Sequence, residues 1–146
     1  MSDHTNVTQD TDLPILIVDD NPHYSKLLTQ ILTAGFGLKN IKVVDSTLKA
    51  YDLIKASPEV FSLLFVDYNF PDGANGGDLL TQLHGDRLLD GKVAFLITSE
   101  PSCENQSQAT RAGALGVVAK PFDRVELGKQ LEQALRRLKG NDTEHF

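Results

Sequence analysis

Five short apolar runs punctuate the chain: Leu13–Val18, Ile41–Val44, Ser62–Val66, Val93–Ile97 and Gly116–Ala119. Each spans four to six residues and is built largely from Val, Ile, Leu or Phe. Such near-continuous apolar character fits parallel strands covered on both faces. The stretches between them carry helical spacing. Asn21-Pro22 reads as an N-cap followed by proline at the first helical position. Tyr24, Leu27, Leu28, Ile31 and Leu32 then recur on one face until Gly35 and Gly37 stop the pattern. Asp45 or Ser46 opens a second helix with Leu48, Tyr51 and Ile54, halted by Pro58. A third, shorter one carries Leu79, Leu80 and Leu83, and Asp123 caps the last, whose stripe is Val125, Leu127, Leu131, Leu135 and Leu138. The fourth interval, Ser102–Ala112, is helical by position yet has hardly a large apolar anchor.

Five strand–helix units in succession predict an α/β fold, a doubly wound parallel sheet with helices on both faces. No internal repeat or linker interrupts it. Residues 1–12 are polar and without periodicity, so a disordered lead-in is expected there. The closing GNDTEHF has the same character.

Length and charge narrow the class. The 146 residues amount to one domain, and 40 % hydrophobic content suffices for a core. Fourteen basic against twenty acidic side chains give a net charge of −6 with no basic run. That balance argues against a nucleic-acid backbone or an anionic membrane as direct partner. No apolar stretch approaches the roughly 20 residues of a membrane span, and the N-terminus lacks a hydrophobic signal segment. The single cysteine, Cys103, excludes an internal disulfide and a Cys-rich zinc site. A soluble cytoplasmic domain is expected.

In a doubly wound sheet the working site lies beyond the carboxyl ends of the strands. Those ends carry Asp19-Asp20, Asp67, Thr98-Ser99 and Lys120-Pro121. A lone aspartate after a strand is ordinary turn chemistry. If the first and third strands are neighbours, however, three carboxylates share one pocket. Two carboxylates about 5 Å apart repel by about 3 kcal/mol at an effective dielectric of about 20. Such a group persists only if one member titrates or a cation neutralises it. Oxygen-only ligands favour Mg²⁺, with Mn²⁺ as the alternative, over zinc. Lys120 and Thr98 supply a point charge and a hydroxyl donor for an anion beside that metal. The set suits phosphoryl transfer onto a carboxylate.

With these motifs in view, the chain resembles a known family. ILIVDDN, LLFVDYNFPDG, AFLITSE and AGALGVVAKPF are similar, in order and spacing, to the receiver domains of bacterial two-component response regulators, especially those of chemotaxis. The resemblance covers Leu13 to Lys139. It implies a flavodoxin-like (βα)5 fold with strand order 2-1-3-4-5. It also implies Asp67 as acceptor of a phosphoryl group from a histidine kinase or histidine phosphotransfer protein, in a Mg²⁺-dependent reaction that switches protein interactions. Asp20 and Asp67 match the direct metal ligands, Asp19 a ligand through water, and Asn69 a ligand through its backbone carbonyl. Lys120 matches the phosphate-binding lysine, its bond to Pro121 being cis, and Thr98 the switch hydroxyl. Ser99 stands where a small side chain leaves the pocket open. Asn69 and Glu100 match the two positions that tune dephosphorylation, and the pair implies a short-lived phosphoryl group. Such a domain catalyses its own phosphorylation and hydrolysis, but its product is a conformational state.

The chain departs from the family's pattern at three places. Val117 replaces the aromatic residue that usually precedes the lysine by three, and valine has no ring to swing. The loop PDGANGGD is about one residue longer than usual in the family and holds three glycines. The fourth helix has Gln106 and Ser107 where aliphatic anchors are usual, so weak docking and local mobility are expected. Two other functions compete. A haloacid-dehalogenase-like phosphatase needs Asp-x-Asp after the first strand, whereas Asp19 and Asp20 are adjacent. A phosphorylation-independent interaction module would keep the acidic pocket as a relic. The tail fits both a free-standing receiver and the front module of a longer regulator with an output domain.

Overall fold

The computed structural model describes residues 12–100 and 102–143. Five parallel strands form one sheet: β1 (Ile15–Val18), β2 (Ile41–Val44), β3 (Leu63–Asp67), β4 (Val93–Thr98) and β5 (Gly116–Ala119). Their spatial order is β2-β1-β3-β4-β5. Five helices alternate with them: α1 (Pro22–Gln30), α2 (Thr47–Ala56), α3 (Gly76–Gly85), α4 (Cys103–Arg111) and α5 (Arg124–Thr143). This is the doubly wound, flavodoxin-like arrangement expected. Most of the expected lead-in lies outside the described residues, as do residues 144–146.

The period-two alternation of side chains along each strand divides the core into two layers. Leu16, Val18, Leu64, Val66 and Leu96 meet α2, α3 and α4 through Ile54, Leu80, Leu83 and Ala109. Ile15, Ile17, Phe65, Phe95 and Ile97 meet α1, the turn that follows it and α5 through Leu28, Leu32, Leu127 and Leu131. Phe65 and Phe95 stack at 5.5 Å between ring centroids. Because β1, β3 and β4 are buried on both faces, every residue in them reads as apolar until the chain reaches the site. Each fully buried Leu, Ile or Phe contributes about 1.5–3 kcal/mol, so the sheet is the rigid base of that site.

The caps sit where the side chains called for them. Asn21 accepts from His23 N at 2.9 Å, Ser46 from Lys49 N at 3.1 Å, and Asp123 from Val125 N at 2.9 Å. The end of the first helical stretch widens into a π-helical turn, Ile31–Gly35. Some expected details are corrected. The first strand begins at Ile15 rather than Leu13, since Pro14 has no N–H for the ladder and its carbonyl accepts from Ser62 and Leu63 instead. Leu48 and Val125, 68 % and 70 % exposed, fall outside the buried stripes of their helices. The last helix continues to Thr143, into the first part of the expected tail, because Gly140 weakens a helix without breaking its hydrogen-bond ladder. The glycine-rich loop is ordered as a tight hairpin. Gly73 N donates to Phe70 O at 3.1 Å, Phe70 N to Ala74 O at 3.2 Å, and Asn69 bridges Asn75. α4 docks through small residues, with Ala109 and Ala112 buried and no large apolar side chain. Among the described residues no helix is long and apolar enough to cross a membrane.

Candidate functional site

The chain runs from β1 outward to β2, then crosses back to β3 on the other side of β1. The carboxyl ends of β1 and β3 therefore flank a topological switch point, where a crevice must open. Asp19 and Asp20 follow β1 directly, and Asp67 is the last residue of β3. One carboxylate oxygen from each of the three lies within 4.8 Å of the others. The neighbouring ends of β4 and β5 bring in Thr98, which ends its strand, and Lys120, the residue after Ala119.

Lys120 ties the cluster together. Its Nζ lies 3.0 Å from Asp67 Oδ1 and 3.4 Å from Asp19 Oδ2, with all three side chains at most 9 % exposed. The Lys120–Pro121 peptide bond is cis. One ammonium against three carboxylates leaves the pocket with an excess of negative charge. At Asp67, burial first and the Asp19 carboxylate second push the pKa up to about 6, against the pull of Lys120. Asp19 is fixed from a second side, its Oδ1 accepting from Asn21 N at 2.9 Å. A cluster of hard oxygen donors with unneutralised charge fits a divalent cation such as Mg²⁺ and lacks the nitrogen or sulfur that zinc would favour.

Thr98 is buried, and its Oγ1 accepts from Glu100 N at 3.1 Å. The Glu100 carbonyl in turn accepts from Asn105 Nδ2 at 2.8 Å, linking the strand end to the first turn of α4. Ser99, Glu100 and Asn69 are exposed on the loops around the crevice. Val117 lies inside β5, half-buried against the α2–α4 layer, and its carbonyl accepts from Gln130 Nε2 of α5 at 2.7 Å. Two neighbours of the site escaped the sequence reading. Tyr24 is by spacing the first member of an apolar helical stripe, yet Lys120 Nζ sits 4.2 Å from its ring centroid. Gly76 belongs by sequence to the glycine-rich loop, yet it opens α3 against the backbone of Asp67.

A flavodoxin-like sheet whose switch point holds three carboxylates, a lysine and a threonine defines a domain of the phosphoryl-accepting receiver class. The family model for the response regulator receiver domain matches residues 15–132, and the chain belongs to that family. Phosphoryl acceptance on an aspartate is the family's function. The chain is 31 % identical over 126 residues to chemotaxis protein CheY-3 of Vibrio cholerae, covering 86 % of this chain and 94 % of that protein. It is 29 % identical over 128 residues to chemotaxis protein CheY of Pseudomonas aeruginosa, covering 88 % and 100 %. Among solved structures, a CheY-like response regulator receiver domain protein of Methanospirillum hungatei superposes with a TM-score of 0.74 at 27 % identity, covering 89 % of this chain and 98 % of that one.

Proposed function

We propose that Asp67 is the acceptor of a phosphoryl group delivered from a phosphohistidine of a histidine kinase or histidine phosphotransfer protein. The observation that carries the reading is the Lys120 ammonium held 3.0 Å from Asp67 Oδ1 in a pocket that also contains Asp19 and Asp20. An Asp67 oxygen forms the new bond to phosphorus, the phosphorus–nitrogen bond breaks, and the imidazole nitrogen leaves with the electron pair. Lys120 and the Thr98 hydroxyl donate to phosphoryl oxygens. Mg²⁺, or Mn²⁺ in its place, held by Asp19, Asp20, Asp67 and the Asn69 carbonyl, would supply positive charge for the phosphoryl oxygens. Attack of water on the phosphorus later returns the carboxylate and releases inorganic phosphate. Asn69 and Glu100, both exposed at the rim, are the residues we assign to tuning that step, with Ser99 leaving the entrance open.

The same reading makes the molecule a cytoplasmic switch whose output is altered protein binding, either to a separate partner or to an output domain. When Thr98 turns to a phosphoryl oxygen it gives up the Glu100 amide, and the β4–α4 loop changes with it. Val117 contributes no ring to this movement. That absence favours the second reading, an interaction module that works without phosphorylation.

Intact mass after incubation with Mg²⁺ and acetyl phosphate separates the two. One added phosphoryl unit in the wild type and none in Asp67→Asn, or a metal-dependent donor turnover lost in that variant, is expected. No label and no turnover in the wild type would leave the interaction module. A label that survives Asp67→Asn would place the acceptor elsewhere. Decay timing then tests Asn69 and Glu100, since a phosphoryl group persisting for hours contradicts the short lifetime expected of that pair.

A further inference from the structure

Lys120 is the most flexible side chain in the pocket, and its charge is useful only where it is held. Besides Asp67 and Asp19 it has a third contact, the face of the Tyr24 ring, 4.2 Å from Nζ to the centroid. That face is the negative pole of the ring quadrupole and attracts an ammonium, most strongly when water is excluded. Here the Lys120 side chain is only 9 % exposed. Tyr24 is itself placed by local structure. It sits in the first turn of α1, where Asn21 Oδ1 accepts from its backbone N at 3.4 Å. Its ring meets two others edge to face, His23 at 5.3 Å and Phe122 at 6.0 Å. Phe122 lies two residues beyond Lys120 and packs on the α1–α5 layer. Helix α1 and the segment after β5 thus meet around the lysine through aromatic contacts that involve none of the three carboxylates.

We propose that Tyr24 is a positioning residue, its ring face holding the Lys120 ammonium against Asp67 and Asp19 and thereby setting the rate of phosphoryl transfer to Asp67. The inference rests on the phosphoryl-accepting role of Asp67. A ring that merely filled space would be replaceable by any apolar side chain of similar volume. One that acts through its π face is replaceable only by another ring.

The test uses the full chain as Tyr24→Phe, Tyr24→Leu and Tyr24→Met, with methionine as the second apolar replacement because it adapts to irregular space. Phosphorylation by acetyl phosphate with Mg²⁺ should run within about twofold of wild type in Tyr24→Phe and about three- to tenfold slower in both apolar variants. In NMR spectra of the unphosphorylated protein, the Lys120 ε-methylene protons should be shifted upfield by the ring in wild type and Tyr24→Phe, and return toward the free-lysine position in the other two. Wild-type rates in the apolar variants overturn the proposal, as does a Tyr24→Phe as slow as Tyr24→Leu, which would assign the effect to the hydroxyl. An unshifted Lys120 methylene in the wild type also overturns it. A wild type that takes no phosphoryl group, with the methylene shifted as expected, overturns the role of Asp67 and the kinetic claim together while leaving the contact itself established.

Discussion

A Cβ on Gly76 would stand 2.1 Å from the carbonyl oxygen of Asp67 and 2.7 Å from Val66 Cγ1. The first turn of α3 thus lies directly against the backbone that carries the candidate acceptor, and Gly76 N closes the contact by donating to Tyr68 O at 2.8 Å. Neither obstructing atom is the end of a flexible side chain, so any larger residue must displace β3 or α3. We expect Gly76→Ala to cost about 1–3 kcal/mol in urea denaturation and to slow phosphorylation as Asp67 shifts. Gly85→Ala, at the other end of the same helix with nothing within 4 Å, is the control and should be neutral or stabilising.

Asp67 couples the fold to pH. Its pKa is raised from 3.8 to about 6, burial being the larger cause and Asp19 the second. Between those values the folded state holds more protons than the unfolded chain. The contribution of Asp67 is therefore fully present at low pH and is lost as pH rises through about 6. Metal-free Asp67→Asn should accordingly be more stable than wild type at about pH 8, by several degrees in Tm, with the gap closing toward about pH 5. Thermal melts in EDTA at the two pH values decide it, and a gap that widens at low pH contradicts the assignment.

A divalent cation should act in the opposite sense to the proton. Binding to the folded state alone raises stability by RT ln(1 + [L]/Kd), about 2.7 kcal/mol at a hundredfold excess over Kd. We expect Mg²⁺ to raise the Tm of wild type more at about pH 8 than at about pH 5, where a proton competes for Asp67. Asp20→Asn should abolish most of the shift. An Mg²⁺-insensitive melt, with Mn²⁺ equally without effect, would argue against a metal at the three carboxylates.

Much of this architecture was legible because a parallel strand buried on both faces writes a continuous apolar run, and β1, β3 and β4 are such strands. Asn21 and Asp123 were readable as caps for an equally local reason, a side-chain oxygen next to unsatisfied backbone donors, and of the two candidates Asp45 and Ser46 it is Ser46 that caps the second helix. The strand order was not local. Apolar runs do not say which strands are neighbours, and the order 2-1-3-4-5 came from the likeness of four motifs to a family. The start of α3 was misread since Gly76-Gly77 has poor helix propensity, and the close approach to Asp67 that demands glycine is a tertiary fact. Tyr24 shows the same limit. Helical spacing marks it as inward-facing, but the presence of an ammonium in front of the ring depends on a residue far along the chain.

Helix α4 is where the chain should be least firmly held. Its buried anchors are Ala109 and the following Ala112, whereas α3 buries Leu79, Leu80 and Leu83. At about 0.8 kcal/mol per buried methylene, that difference amounts to several kcal/mol of local docking. We expect the amides of α4 to exchange with solvent at least about tenfold faster than those of α3. A relay reaches this helix from the pocket: Thr98 Oγ1 accepts from Glu100 N, and Glu100 O accepts from Asn105 Nδ2. It requires no aromatic ring at Val117. If Thr98 leaves Glu100 for a phosphoryl oxygen, protection in the first turn of α4 should change in wild type treated with a phosphoryl mimic and stay unchanged in Thr98→Ala. Hydrogen exchange with mass-spectrometric readout on both proteins, with and without the mimic, tests the two statements at once. Exchange in α4 as slow as in α3 contradicts the first, and an equal response of both proteins contradicts the second.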